Sequence, residues 1–145
     1  MPTELVNGFG KVYLTIEYDP ANQWVYNNWV GYQTYVGIIR GADECLYPLL
    51  ENQCSYLLND NRQVLGPWDH AVQWLVTDWA PRAVAQGLTH FAQVVSPESF
   101  AAQSADAMYK GISDRFQMRM FDNIVIAQTW LYEEQKLAAK RRLNG

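Results

Sequence analysis

Asp60, Asn61, Arg62 and Gln63 follow a short apolar run, Tyr56-Leu57-Leu58, and Asp69 and His70 stand a few residues on, within the stretch YLLNDNRQVLGPWDHAVQWL. A carboxylate aligned on an imidazole can do acid–base chemistry if the two come within hydrogen-bond reach. The plainer reading is that Asp60 and Arg62 tie down a loop through backbone and ion-pair contacts, with His70 exposed on a helical turn. No nucleophile and no set of oxyanion donors accompanies them. The expectation is therefore no catalytic residue, and a ligand- or partner-binding role for Asp60, Asn61, Arg62, Trp68, Asp69 and His70. His70 and His90 with Cys45 or Cys54 have no recognised zinc spacing, so no metal is predicted. The sequence has no GxGxxG, GxxxxGK[ST], GxSxG or HExxH, so no cofactor is predicted either.

Tryptophans supply the other candidate chemistry. Trp68 and Trp79 fit one helical face and read as core, whereas Trp74 falls off it and suits exposure or a dimer contact. All three could instead line a pocket for an apolar ligand. Trp24 and Trp29 point to opposite faces of one strand, so one of them calls for cover from beyond the sheet, and a second subunit would supply it.

The elements that must position these residues follow from periodicity. Residues 1–10 read as a loose lead-in. Val12, Leu14, Ile16 and Tyr18 alternate with polar positions as in a half-buried strand. Asp19-Pro20-Ala21-Asn22 predicts a tight turn, and 24–30 returns antiparallel. Tyr35, Ile38, Ile39, Ala42, Leu46, Leu49 and Leu50 recur at helical spacing, with Pro48 breaking the last turn. A buried strand over 55–59 leads into a polar loop, 59–70, and Gly66-Pro67 opens a second helix. Pro81 starts a further turn that Gly87 ends. A strand over 88–95 precedes a helix begun by Ser96-Pro97, with Phe100, Ala101, Ser104, Ala107 and Met108 inward. A last strand over 115–121 leads to a helix capped by Asp122, in which Phe121 and Ile126 form a hydrophobic staple.

This order predicts an α/β domain over 11–135: a single five-stranded mixed sheet, begun by an antiparallel β-hairpin, continued by β-α units and flanked by helices. Residues 136–145 form a basic helix end. The chain has 145 residues, 49% hydrophobic and 18% charged, which is one folded domain rather than a disordered segment. A net charge of -4 argues against a nucleic-acid binder, which needs a basic face. The sequence shows no transmembrane run and no secretory layout, and its two cysteines read as reduced thiols. A cytoplasmic location follows as the expectation.

Several motifs carry a family resemblance: LNDNRQVLGPW from Leu58 to Trp68, Trp74, Trp79-Ala80-Pro81-Arg82, Gly87-Leu88, Val94-Val95-Ser96-Pro97 with Phe100-Ala101, and Phe121 with Ala127-Gln128-Thr129-Trp130-Leu131. Over roughly residues 11–132 the chain resembles the SpoIIAA-like branch of the STAS fold, related to CRAL-TRIO lipid-binding domains. The resemblance implies a regulatory or carrier role rather than a defined activity. Sporulation anti-anti-sigma factors of that fold carry a phosphorylatable Ser or Thr after the third strand. Residues 60–70 contain neither, so phosphorylation there is not expected. The function expected is a non-enzymatic, homodimeric module that binds a protein partner or small ligand through the loop after the third strand. The alternatives are a carrier of an apolar small molecule or lipid, and, more remotely, a hydrolase using Asp60 and His70.

Overall fold

The computed structural model describes residues 2–112 and 114–144. Met1 and Gly145, the outer ends of the predicted lead-in and tail, lie outside them. Among the described residues, six strands form one mixed sheet in chain order: β1 (Thr3–Val6), β2 (Val12–Asp19), β3 (Trp24–Gly31), β4 (Tyr56–Val64), β5 (His90–Val94) and β6 (Gln117–Phe121). β1, β2 and β3 pair antiparallel, and β3, β4, β5 and β6 pair parallel. The strand beyond the five expected is β1, which lies inside the expected lead-in. Leu5 is its only buried residue, and one apolar contact in four residues gives too little alternation to read from sequence.

The hairpin turn forms as expected. The Asp19 carboxylate accepts from the backbone N–H of Ala21 at 3.0 Å and of Asn22 at 3.1 Å. The left-handed residue is Gln23 (φ 59°), one place later than Asn22. At the other end of β2, Leu5 pairs with Leu14 but Val6 pairs with Val12. Tyr13 is the extra residue of a bulge, which is why Tyr13 and Leu14, though adjacent, are both buried.

α1 (Tyr35–Glu44) begins where Thr34 Oγ1 accepts from the Gly37 N–H at 3.0 Å. It breaks at Cys45 and resumes as α2 (Leu46–Glu51). Pro48 cannot donate to the Glu44 carbonyl and its ring crowds that group, so the break falls one turn ahead of the proline. The second helical stretch starts two residues beyond Pro67, as a 3-10 turn (Asp69–Ala71), α3 (Val72–Trp74), a π turn (Leu75–Trp79) and α4 (Ala80–Ala85). Pro81 continues this stretch instead of starting a separate turn; its missing N–H leaves the helical ladder irregular just ahead of it.

Ser99, not Ser96, caps α5 (Phe100–Ile112), its hydroxyl accepting from the Ala102 N–H at 3.0 Å. That shift rotates the helix, so Phe100 and Ala107 point outward while Ala101, Ser104, Ala105 and Met108 are buried. Asn123, not Asp122, caps α6 (Ile124–Asn144): its side-chain oxygen accepts from the N–H of Val125 at 2.8 Å and of Ile126 at 3.2 Å. Ile126 is exposed, so the staple is not made.

Two cores result. The large one holds the helices that connect the parallel strands against one face of the sheet, through Leu14, Val25, Leu57 and Phe91 on the strands and Ile38, Leu49, Leu75 and Met108 on the helices. The small one lies under α6 on the opposite face and contains Trp24, Leu58, Ala92, Val94, Ala127, Trp130 and Leu131. Trp29 is covered by the first layer and Trp24 by the second. Neither therefore needs a second subunit. Because strand order never reverses, the sheet has no switch-point crevice of the kind that holds ligands in doubly wound folds. Space for a ligand must lie beneath the helical layer or beside α6.

Candidate functional site

The predicted loop 59–70 is mostly strand. β4 runs on to Val64, stabilised on one side by β3, and carries a bulge: Asn28 pairs with Asp60, but Val30 pairs with Gln63. The strand and its bulge divide the candidate residues among three places. Asp60 lies on the α6 face beside Val94, its partner in register. Asn61 and Trp68 line a cavity under the helical layer. Asp69 and His70 are exposed on the 3-10 turn. The six residues do not converge on one site.

Asp60 is nonetheless a built feature. It is 2% exposed, accepts from the Tyr26 hydroxyl at 2.6 Å and receives Arg62 through Nε (3.0 Å) and Nη2 (2.8 Å). Burial alone would push its carboxyl up, but the hydrogen bonds from Arg62 and Tyr26 outweigh burial and hold it below the usual range. Burial, and then the bond to Asp60, raise the Tyr26 hydroxyl to about 12. A carboxylate neutralised in this way is a poor general base. His70 extends from the helical layer on the other side of the sheet, so the two do not form an acid–base pair. His90 also serves structure: Nδ1 meets Thr89 Oγ1 at 2.7 Å, Nε2 lies 3.5 Å from Glu134, and burial, only partly offset by Glu134, lowers its affinity for protons.

The cavity under the helices is the more informative place. It measures about 50 Å³ and lies between β3, β4 and β5 on one side and α1, α5 and the 3-10/π segment on the other. Its walls are Trp29, Ile38, Leu57, Leu75, Trp79, Phe91 and Met108. A ladder of amides in register starts in its floor, Asn27 beside Asn59, and continues beyond the cavity, Asn59 beside Gln93. Asn59 Nδ2 donates to Gln93 Oε1 at 2.8 Å, and Asn59 Oδ1 accepts from the Trp29 indole N–H at 2.8 Å and from Asn27 Nδ2 at 3.4 Å. Trp79 Nε1 donates to the Ala42 carbonyl at 2.7 Å.

Three polar atoms of residues lining this cavity have no hydrogen-bond partner among the described residues: Asn27 Oδ1, Gln33 Oε1 and the Trp68 indole N–H. All three residues are more than nine-tenths buried. Each orphan costs on the order of 1–3 kcal/mol unless something in the cavity satisfies it. Cys45 also lines the space, but burial pushes its thiol up to about 12, so it stays protonated and unreactive.

Of the cavity residues, the sequence pointed to Asn61, and to Trp68 and Trp79 as possible pocket walls. Asn27, Asn59 and Gln93 carried a legible signal, since strict alternation places all three on the faces of Val25, Leu57 and Phe91. Three amides at equivalent inward positions of neighbouring strands mark a buried polar site. Gln33 left none, because its burial depends on how the chain turns into α1. Among the described residues no cluster of three or more His, Cys, Asp or Glu could hold a metal ion, and no helix is long and apolar enough to cross a membrane. No protein-family model, curated protein or solved structure matches the chain.

Proposed function

We propose that this protein is a non-enzymatic binding module that holds a small uncharged molecule in the cavity between the sheet and the helical layer. The observation that carries this reading is that three buried, unpartnered polar atoms belong to residues that line one cavity. Two are acceptors and one is a donor, so the complementary ligand offers two N–H or O–H groups and one acceptor oxygen, as a primary amide or urea does. No lining side chain is charged, and an ion there would lack the partner that offsets its desolvation. The aromatic walls suit a flat ligand.

Size narrows the choice. A cavity of about 50 Å³ is roughly a third of the engineered 150 Å³ cavity that accepts benzene. It suits a molecule of about four heavy atoms, which at the ceiling of roughly 1.5 kcal/mol per atom binds no more tightly than tens of micromolar. A lipid is too large for this space, so the apolar-carrier alternative is disfavoured. The hydrolase alternative is disfavoured by the separation of Asp60 from His70. Membership of the SpoIIAA-like branch, a cytoplasmic location and a homodimeric state remain part of the proposal.

Titration of ¹⁵N-labelled protein with formamide and acetamide, followed at the Trp68 indole N–H, tests it. The expected result is a saturable shift of that one indole signal at millimolar ligand, lost in Gln33→Leu. An unmoved indole signal would mean that the cavity holds only water.

A further inference from the structure

α6 has a second, largely apolar stripe that the described residues leave mostly exposed. Its buried side is Ala127, Trp130 and Leu131. On the opposite side stand Val125, Thr129, Tyr132, Lys136, Ala139 and Leu143, spaced 4-3-4-3-4, which is the heptad spacing of a helix that packs along another helix. At about 100° per residue these six lie within roughly 40° of one line along the helix. Val125 is 62% exposed, Tyr132 53% and Leu143 86%. Lys136 lies over the Tyr132 ring at 4.7 Å, leaving the stem of the lysine along the stripe.

We propose that this stripe is the contact surface for a second copy of the same chain, with the two α6 helices packed antiparallel about a two-fold axis. Three features select that partner and that direction. First, an antiparallel pairing centred near residue 134 makes the stripe self-complementary, as a two-fold contact must be. Val125 meets Leu143 of the second copy, Thr129 meets Ala139, and the Tyr132 ring meets the Lys136 ammonium. Second, a groove of about 260 Å³ lined by Asn22, Trp24, Val125, Gln128, Thr129 and Tyr132 lies where the second copy's Leu143 arrives.

Third, charge is complementary in this direction alone. Lys140, Arg141 and Arg142 crowd the carboxyl end of α6. The cleft beside its amino end is lined by Glu17 and Asp19 together with Ile124 and Gln128. Antiparallel packing brings the basic end of each copy to the acidic end of the other, and parallel packing would stack like charges. One helix about 31 Å long buries less than the roughly 800 Å² per partner of a standard interface, so the dimer is a weak, reversible one. The surface is on the opposite side of the sheet from the cavity, so it stands independently of the ligand.

Sedimentation velocity across a concentration series tests the dimer, and disulfide trapping tests its direction. The chain dimerises reversibly, and Val125→Lys and Tyr132→Lys each weaken it by at least about tenfold, because the first sets an ammonium against the second copy's basic helix end and the second sets one against its Lys136. Circular dichroism stays unchanged, since both side chains face away from the core. Oxidation of an equimolar mixture of Thr129→Cys and Ala139→Cys chains gives a covalent heterodimer, whereas neither variant alone cross-links. The native Cys45 and Cys54 are buried and do not compete. A chain that is monomeric at all concentrations, or a dimer indifferent to both lysines, overturns the surface. Cross-linking of Thr129→Cys to itself overturns the antiparallel direction.

Discussion

Arg62 pairs with a carboxylate that is almost wholly out of water, while its own side chain is 43% exposed. The asymmetry makes its removal informative. Arg62→Ala leaves Asp60 buried with the Tyr26 hydroxyl and the residue-62 backbone N–H to stabilise its charge, and solvent screening of the exposed guanidinium limits the loss to about 2 kcal/mol at pH 7. Asp60 titrates lower when folded than unfolded, so the pair's contribution is fully present above the unfolded carboxylate range and fades as pH falls through the folded value. Urea denaturation at neutral pH and near pH 3 should therefore show a large difference between Arg62→Ala and the parent that shrinks in acid. An equal loss at both values would show that Arg62 acts by packing its stem. Asp60 and Arg62 were legible as an ion pair because opposite charges stand two residues apart, within reach of each other even in the loop expected there. Their divorce from Asn61 and Trp68 was not, because the sequence does not show that β4 continues through the polar residues. Pairing with β3 imposes strand on a run whose side chains look like loop.

The elements repeat that lesson at their ends. Periodicity located the strands of 12–19 and 24–31 and the helices of 35–51 and 100–112, since each presents a face that must be buried. It misplaced caps by one to three residues, because Ser96 and Ser99, or Asp122 and Asn123, offer the same chemistry. The backbone chose between them: Glu98 takes a left-handed φ of 67°, which turns the chain after Ser96 and lets helix begin only beyond Ser99. For α6 the choice can be measured. Asn123→Ala removes the side-chain oxygen that accepts two orphan N–H groups and should cost about 1 kcal/mol. Asp122→Ala should cost only a few tenths, through the helix dipole. Paired chemical denaturation of the two variants checks this, and the reverse order would return the cap to Asp122.

At the scale of the whole molecule, stability follows from how many sides of a strand are covered. β4 is hydrogen-bonded on both edges, with the helical layer on one face and α6 on the other, and its Leu57 and Leu58 each anchor a different core. β1 is hydrogen-bonded only to β2 and buries a single side chain. β6 is the other edge, five residues long, with Gln117, Arg119 and Met120 exposed. The Arg119 guanidinium stacks over Phe121 and Trp130 at 5.5 Å, so a cation guards the edge against pairing with another sheet. Pairing with another sheet through the β6 edge is thereby disfavoured. Amide hydrogen exchange separates these levels, because an amide opens with the cheapest unit that contains it. The slowest exchange should come from residues 57–59 and 91–93, which open only with global unfolding. Residues 3–6 should exchange through a local opening that costs far less, since releasing them exposes one leucine. If β1 were as protected as β4, the antiparallel hairpin and the parallel layer would form one cooperative unit, and the first strand would have to be bound by more than β2.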